Sequence, residues 1–249
     1  MTLLDYRAAS DLFRDRVVLV TGAAGGIGRA VSVGLARHGA TVVLLGRTVA
    51  TLESVYDAIQ GAGGPEPAIY PLDLAGASLA DYEELTDRVR EGFGRLDGLL
   101  HNAAELGTLT PLALYDPPLW ARVLHVNLSA PFLLTRACLP LMEATGDASI
   151  LFTSARVGRR ARAYWGAYAV AYAGVEGLMQ LLADELESGG RVRVNTLDPG
   201  PVRSPIHLRS YPGEDPRQRL GPEAVVPAYL YLLGPDGRGV NGQALSAQG

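Results

Sequence analysis

The sequence predicts an α/β protein with one parallel sheet covered by helices on both faces. Three observations predict it. Short β-branched runs alternate with amphipathic segments along the whole chain. The first run enters a glycine-rich turn that opens a helical pattern. The 249 residues, 48% hydrophobic and 19% charged, suit one well-buried core, with no repeat or linker to divide it. A single domain spanning residues 1–249 is the expectation.

The first strand and its turn are Val17-Val18-Leu19-Val20 and Thr21-Gly22-Ala23-Ala24-Gly25-Gly26-Ile27-Gly28. Ile27, Val31, Gly34 and Leu35 then recur at helical spacing. Glycine lets backbone turn tightly and approach a pyrophosphate, and the helix N-terminus offers free N–H groups to the phosphates. Thr21, Gly22, Gly26, Ile27 and Gly28 are therefore candidate dinucleotide-binding residues, at a spacing one residue longer than the common fingerprint.

The second strand, 41–45, ends at Gly46-Arg47. A preference for NAD usually puts an acid here, to accept from the ribose 2′-hydroxyl. Arg47 suits a 2′-phosphate instead, so the expected cofactor is NADP rather than NAD.

A helix follows to about residue 60, then a third strand at 68–72 closed by Asp73-Leu74. Asp73 either meets an adenine amine or caps the next helix, at 81–93. The fourth strand, 96–101, ends in His101-Asn102-Ala103-Ala104, whose small residues let a ligand come close. After a loop at 105–118, residues 119–145 are long and apolar, fit to pack on the sheet and on a partner subunit. Then come a strand at 148–153, a helix at 164–186 and a strand at 191–197 closed by Asp198-Pro199-Gly200. Residues 201–221, rich in Pro, Arg and Ser, read as a mobile substrate lid. A helix at 223–233 and a strand at 242–247 end the chain.

Net charge is −4, with no basic excess to suggest nucleic acid. The one cysteine, Cys138, lies in an apolar helical pattern and reads as packing. There is no signal-peptide pattern and no membrane-length apolar run, so a soluble cytoplasmic protein is expected, without a metal site. All 22 basic residues are arginine, so no lysine can serve catalysis.

TGAAGGIG, Asp73-Leu74, HNAA, Val126-Asn127, the Tyr168 region and Asp198-Pro199-Gly200 together resemble the short-chain dehydrogenase/reductase family over nearly the full length. WGAYAVAYAGVEG and the ending ALSAQG are similar to a bacterial subgroup of it. The resemblance implies a Rossmann-type, doubly wound sheet of about seven strands and a homodimer or homotetramer built on the two long helices. It implies hydride transfer between a nicotinamide and a small carbonyl or alcohol substrate. It adds Leu74, Asn102, Ala103, Pro199 and Gly200 to the cofactor residues. Tyr168 falls on the family's proton-passing tyrosine and Asn127 on its water-relay asparagine. The family's lysine, four residues past the tyrosine, is Tyr172 here, and its serine, thirteen before it, is Ala155.

A free tyrosine has a pKa of about 10, so ionising it near pH 7 costs about 4 kcal/mol. A cation roughly 4 Å away at an effective dielectric near 20 contributes about that much. Losing one donor to a developing oxyanion typically costs about 100- to 1000-fold in rate. Three neighbours could substitute. Ser154 needs a one-residue slip to face the site, Thr153 shares Ala155's face one pleat deeper, and Arg156 could swing in. Tyr164, Tyr168 and Tyr172, spaced by four, would share one helical face. Arg156, Arg159, Arg160 and Arg162 form either a solvated or inter-subunit patch or a grip on an anionic substrate or partner. The expectation is an NADP(H)-binding protein with ordinary turnover weak or lost. The alternative is an active NADP-dependent carbonyl reductase using Tyr168 with Arg156 or Tyr172.

Overall fold

All seven apolar runs become strands: β1 Val17–Thr21, β2 Thr41–Gly46, β3 Ala68–Pro71, β4 Gly98–His101, β5 Ala148–Thr153, β6 Val192–Asp198 and β7 Ala244–Ser246. The computed structural model describes residues 2–248. The strands are parallel and ordered β3-β2-β1-β4-β5-β6-β7. The chain crosses from one outer edge back to the middle between β3 and β4, so β1 and β4 flank a topological switch point. A crevice opens there beyond the strand C-termini, where ligands bind in such sheets.

The helices are α1 Gly26–Arg37, α2 Val49–Gly61, α3 Leu79–Phe93, α4 Pro117–Leu124, α5 Ala130–Glu143, α6 Arg156–Arg159, α7 Gly166–Glu187, α8 Pro205–Ser210 and α9 Val226–Leu233. Alternate strand residues feed two cores. Leu19, Leu99, Ile150 and Phe152 meet Leu85 of α3, Leu134 of α5 and Val175 of α7 on one face. Val20, Leu44, Leu100 and Leu151 meet Val31 of α1, Leu52 of α2 and Tyr229 of α9 on the other. No helix among the described residues is long and apolar enough to cross a membrane.

Several expectations are corrected. The apolar stretch 119–145 is not one helix: a π-helical turn, His125–Ser129, separates α4 from α5 and carries Asn127. The helix expected at 164–186 starts at Gly166, because Tyr164 (φ 74°) and Gly166 (φ 37°) have left-handed backbone. Tyr164 is therefore off the α7 face that holds Tyr168 and Tyr172, and it is exposed. Residues 201–221 contain α8, N-capped by Ser204, and a short turn at Pro216–Gln218. Asp73 does not cap α3. Ser78 does so with Asp81, while Asp73 takes the N–H of Ala75.

The N-terminal ends of β1, β5 and β6 are tied by one carboxylate. Asp147 accepts from Arg16 at 2.6 Å, Arg193 at 2.5 Å and Arg238 at 2.8 Å. Partial burial works to raise its pKa, but the three arginine bonds outweigh that and hold the carboxyl well below the usual range. A depressed carboxylate contributes stability above its unfolded pKa of about 3.9 that is lost as pH falls through the folded value. We predict that Asp147→Asn destabilises the fold by about 3 kcal/mol at neutral pH. Urea denaturation across pH should show the gap to the wild type closing only at strongly acidic pH.

Candidate functional site

The cleft at the C-terminal ends of the strands has a volume of about 610 Å³ and is lined from the first glycine turn to the segment after β6. At one end is the N-terminus of α1, which no side chain caps. Its first-turn N–H groups are thus left for a ligand. Gly22, Gly25, Gly26 and Ile27 form this wall, and a Cβ added at Gly25 would meet nothing within 4 Å. The other glycines keep the turn closed: a Cβ on Gly28 would collide with the Gly22 carbonyl. Thr21 is outside the cleft lining, and its hydroxyl accepts the N–H groups of Asn102 (2.9 Å) and Ala103 (3.0 Å), locking the end of β1 to that of β4. This uncapped, glycine-walled turn fits a dinucleotide pyrophosphate.

Of the other sequence candidates, Arg47, Asn102, Ala103, Pro199 and Gly200 line the cleft. Asp73, exposed, and Leu74, buried, stand outside its lining. Asn127 is also set back. Its Oδ1 accepts from Glu105 N at 2.8 Å and its Nδ2 donates to Glu105 O at 2.7 Å.

Tyr168, Tyr172 and Ala155 do come together on the cleft wall. The two tyrosines are one helical turn apart on α7, with ring centroids 4.6 Å apart, and both are buried. Burial, then the facing Tyr172 phenol and the charge of Asp198, push the Tyr168 phenol well above its ordinary pKa. Burial likewise pushes Tyr172 up, to about 12. Arg156 shares the cleft but leans to Asp198, with Nε 3.8 Å from Oδ2.

Ser154 does not replace Ala155. β5 runs in register to its end, and the Ser154 hydroxyl is turned to α7, donating to Glu176 Oε1 at 2.6 Å. Thr153 keeps the cleft side: its hydroxyl meets Tyr229 OH at 3.1 Å and donates to Asn102 Oδ1 at 3.4 Å.

Glu176 and Gln248 were not singled out by the sequence. Besides Ser154, the Glu176 carboxylate accepts from Arg159 at 2.8 Å and Thr196 at 2.7 Å. A glutamate one turn beyond Tyr172 on a buried helix face was the available signal. Gln248 donates to the Pro199 carbonyl at 2.7 Å, fixing the loop after β6. Residues 201–221 contribute His207, Tyr211, Glu214 and Arg219, none in a readable motif. No group of His, Cys, Asp and Glu among the described residues could hold a metal ion.

Residues 16–214 match the family described as short chain dehydrogenase, and the chain belongs to that family. It is 42% identical to the uncharacterised oxidoreductase YciK of Escherichia coli K12 over 98% of this chain and 96% of that one. A short chain dehydrogenase from Pseudomonas syringae is 53% identical, with a TM-score of 0.96 over 98% of this chain and 99% of that one. A Shigella flexneri short chain dehydrogenase, solved complexed with NADP, is 41% identical, with a TM-score of 0.94 over 97% of this chain and 100% of that one.

The Glu176 network yields a test. Glu176→Ala leaves Arg159 and Ser154 without their shared acceptor and should destabilise the fold by about 3 kcal/mol. Glu176→Gln, which keeps an acceptor, should lose less. Chemical denaturation of both variants checks the ranking.

Proposed function

We propose that the chain binds NADP(H) through this cleft and that ordinary hydride-transfer turnover is weak or lost. The observation that carries the reading is the buried Tyr168–Tyr172 pair, in which a phenol stands where the family's mechanism needs a cation. The α1 N-terminus would hold the pyrophosphate, Arg47 the 2′-phosphate, Asp73 the adenine amine and the Pro199-Gly200 loop the nicotinamide end. The bound cofactor's chemistry is hydride exchange with a carbonyl or alcohol carbon.

The chain's own residues set the limits on that chemistry. Tyr168 holds its proton tightly, so it is a poor base for alcohol oxidation and a reluctant donor for carbonyl reduction. Ala155 offers no hydrogen bond to a developing oxyanion. Asn127 has both carboxamide atoms engaged by the Glu105 backbone. Residues 201–221 would act as the lid of a single domain. Exposed Phe132 on α5 and exposed Val170 and Leu181 on α7 would form the contact between copies in a homodimer or homotetramer. Arg156 and Thr153 on the cleft wall favour one second reading, a slow carbonyl reductase that uses Tyr168 as donor.

Calorimetric titration should give micromolar NADPH binding, weakened about tenfold or more by Arg47→Glu with NADH little affected. No binding at millimolar NADPH would overturn the cofactor reading. The double substitution Ala155→Ser with Tyr172→Lys, assayed with NADPH on a carbonyl panel, should raise turnover by about a hundredfold or more. Wild-type turnover already at the restored level, abolished by Tyr168→Phe, would establish the reductase instead.

A further inference from the structure

The substrate end of the cleft has a chemical character of its own. Five rings run along it in sequence. Tyr172 and Tyr168 have centroids 4.6 Å apart, Tyr168 and Trp165 5.7 Å, Trp165 and Tyr211 6.1 Å, and Tyr211 and His207 5.0 Å. All five line the cleft. Two come from α7, one from the residue before it, and two from the lid segment, so the wall joins the fixed and lid sides. Rings in such an arrangement favour a flat, polarisable guest over an aliphatic one, because offset or edge contact adds to simple burial.

Charge at the same end is not balanced. Asp198 and Glu214 are the lining acids there, and Arg156, Arg162 and Arg219 the lining arginines. Arg156 leans to Asp198 at 3.8 Å, and Arg219 donates to Glu214 at 2.8 Å, with His207 on the same carboxylate at 3.0 Å. Arg162 forms no ion pair or side-chain hydrogen bond among the described residues, and it lies three positions before Trp165. Its guanidinium can present two parallel donors to a carboxylate while its flat face lies on an aromatic ring. An aromatic wall with one uncompensated arginine at its rim selects a guest with one negative charge.

We infer that the substrate end binds a planar aromatic monoanion, with the ring system against Trp165 and Tyr211 and the carboxylate on Arg162. This rests on the cofactor reading only for what occupies the far end of the cleft, and it does not require turnover.

The test uses three probes of similar size: naphthalene carboxylate, its neutral carboxamide, and decahydronaphthalene carboxylate. Each is titrated calorimetrically into the full chain with and without saturating NADPH. Naphthalene carboxylate should bind about tenfold or more tighter than either other probe. Arg162→Gln should remove the preference over the carboxamide, and Arg162→Lys should keep part of it. Trp165→Leu should remove the preference over decahydronaphthalene carboxylate. Unchanged NADPH affinity in the Arg162 variants shows an intact fold. Equal affinity for all three probes, or a preference indifferent to Arg162→Gln, overturns the inference. If NADPH fails to bind, the cofactor reading falls, and the cofactor-free titrations still decide the aromatic-anion claim.

Discussion

Glu176 lies on the buried face of α7, one turn past Tyr172, and both of its carboxylate oxygens are committed. Oε1 takes Ser154 at the end of β5 and Arg159 of α6, and Oε2 takes Thr196 of β6. A carboxylate taken out of water must be paired and hydrogen-bonded, so these partners are not free to move independently. The end of β5 is therefore pinned in one register against α7. Ser154 faces the helix and Ala155 faces the cleft, and neither can exchange roles without breaking this set. The same constraint fixes α7 along its axis, and with it the positions of Tyr168 and Tyr172.

What those positions hold is then a matter of electrostatics. Burial opposes ionisation of both phenols, and neither supplies the positive charge that would offset it. A cation at the Tyr172 position would contribute several kcal/mol toward a phenolate at Tyr168. The chain has no lysine at all, and Arg156, the arginine beside Ala155, leans to Asp198. By contrast, the phosphate end keeps its features: glycines that permit close approach, an uncapped helix start, and Arg47 after β2. On the proposed reading one end of the cleft holds a nucleotide, while at the other a phenol, Tyr172, stands beside Tyr168 where the family's mechanism needs a cation.

The seven strands, the helices between them and the glycine turn were readable from sequence because they depend on local pattern. β-Branched runs, their alternation with helices, and glycines between a strand and a helix each carry their own signal. The Tyr168–Tyr172 contact was readable too, since residues four apart on a helix are neighbours. Tyr164 was misjudged because the same spacing continues past the helix start, and nothing in the local sequence marks the left-handed turn before Gly166. The π-helical turn that carries Asn127 has no local mark, and the carboxamide's partner, Glu105, lies 22 positions away. The Glu176 and Asp147 networks join residues from several elements and have no local pattern, so only the packed structure reveals them. The aromatic wall has no sequence signature for the same reason, since Tyr211 and His207 lie in a segment without periodicity.

The state of the Tyr168 proton decides the account most directly. Ultraviolet difference titration of tyrosinate, comparing the chain with Tyr168→Phe, reads it without any substrate. The two proteins should titrate alike up to about pH 10, because burial and the facing phenol keep Tyr168 neutral. A transition near neutral pH that is present in the wild type and missing in Tyr168→Phe would contradict the account.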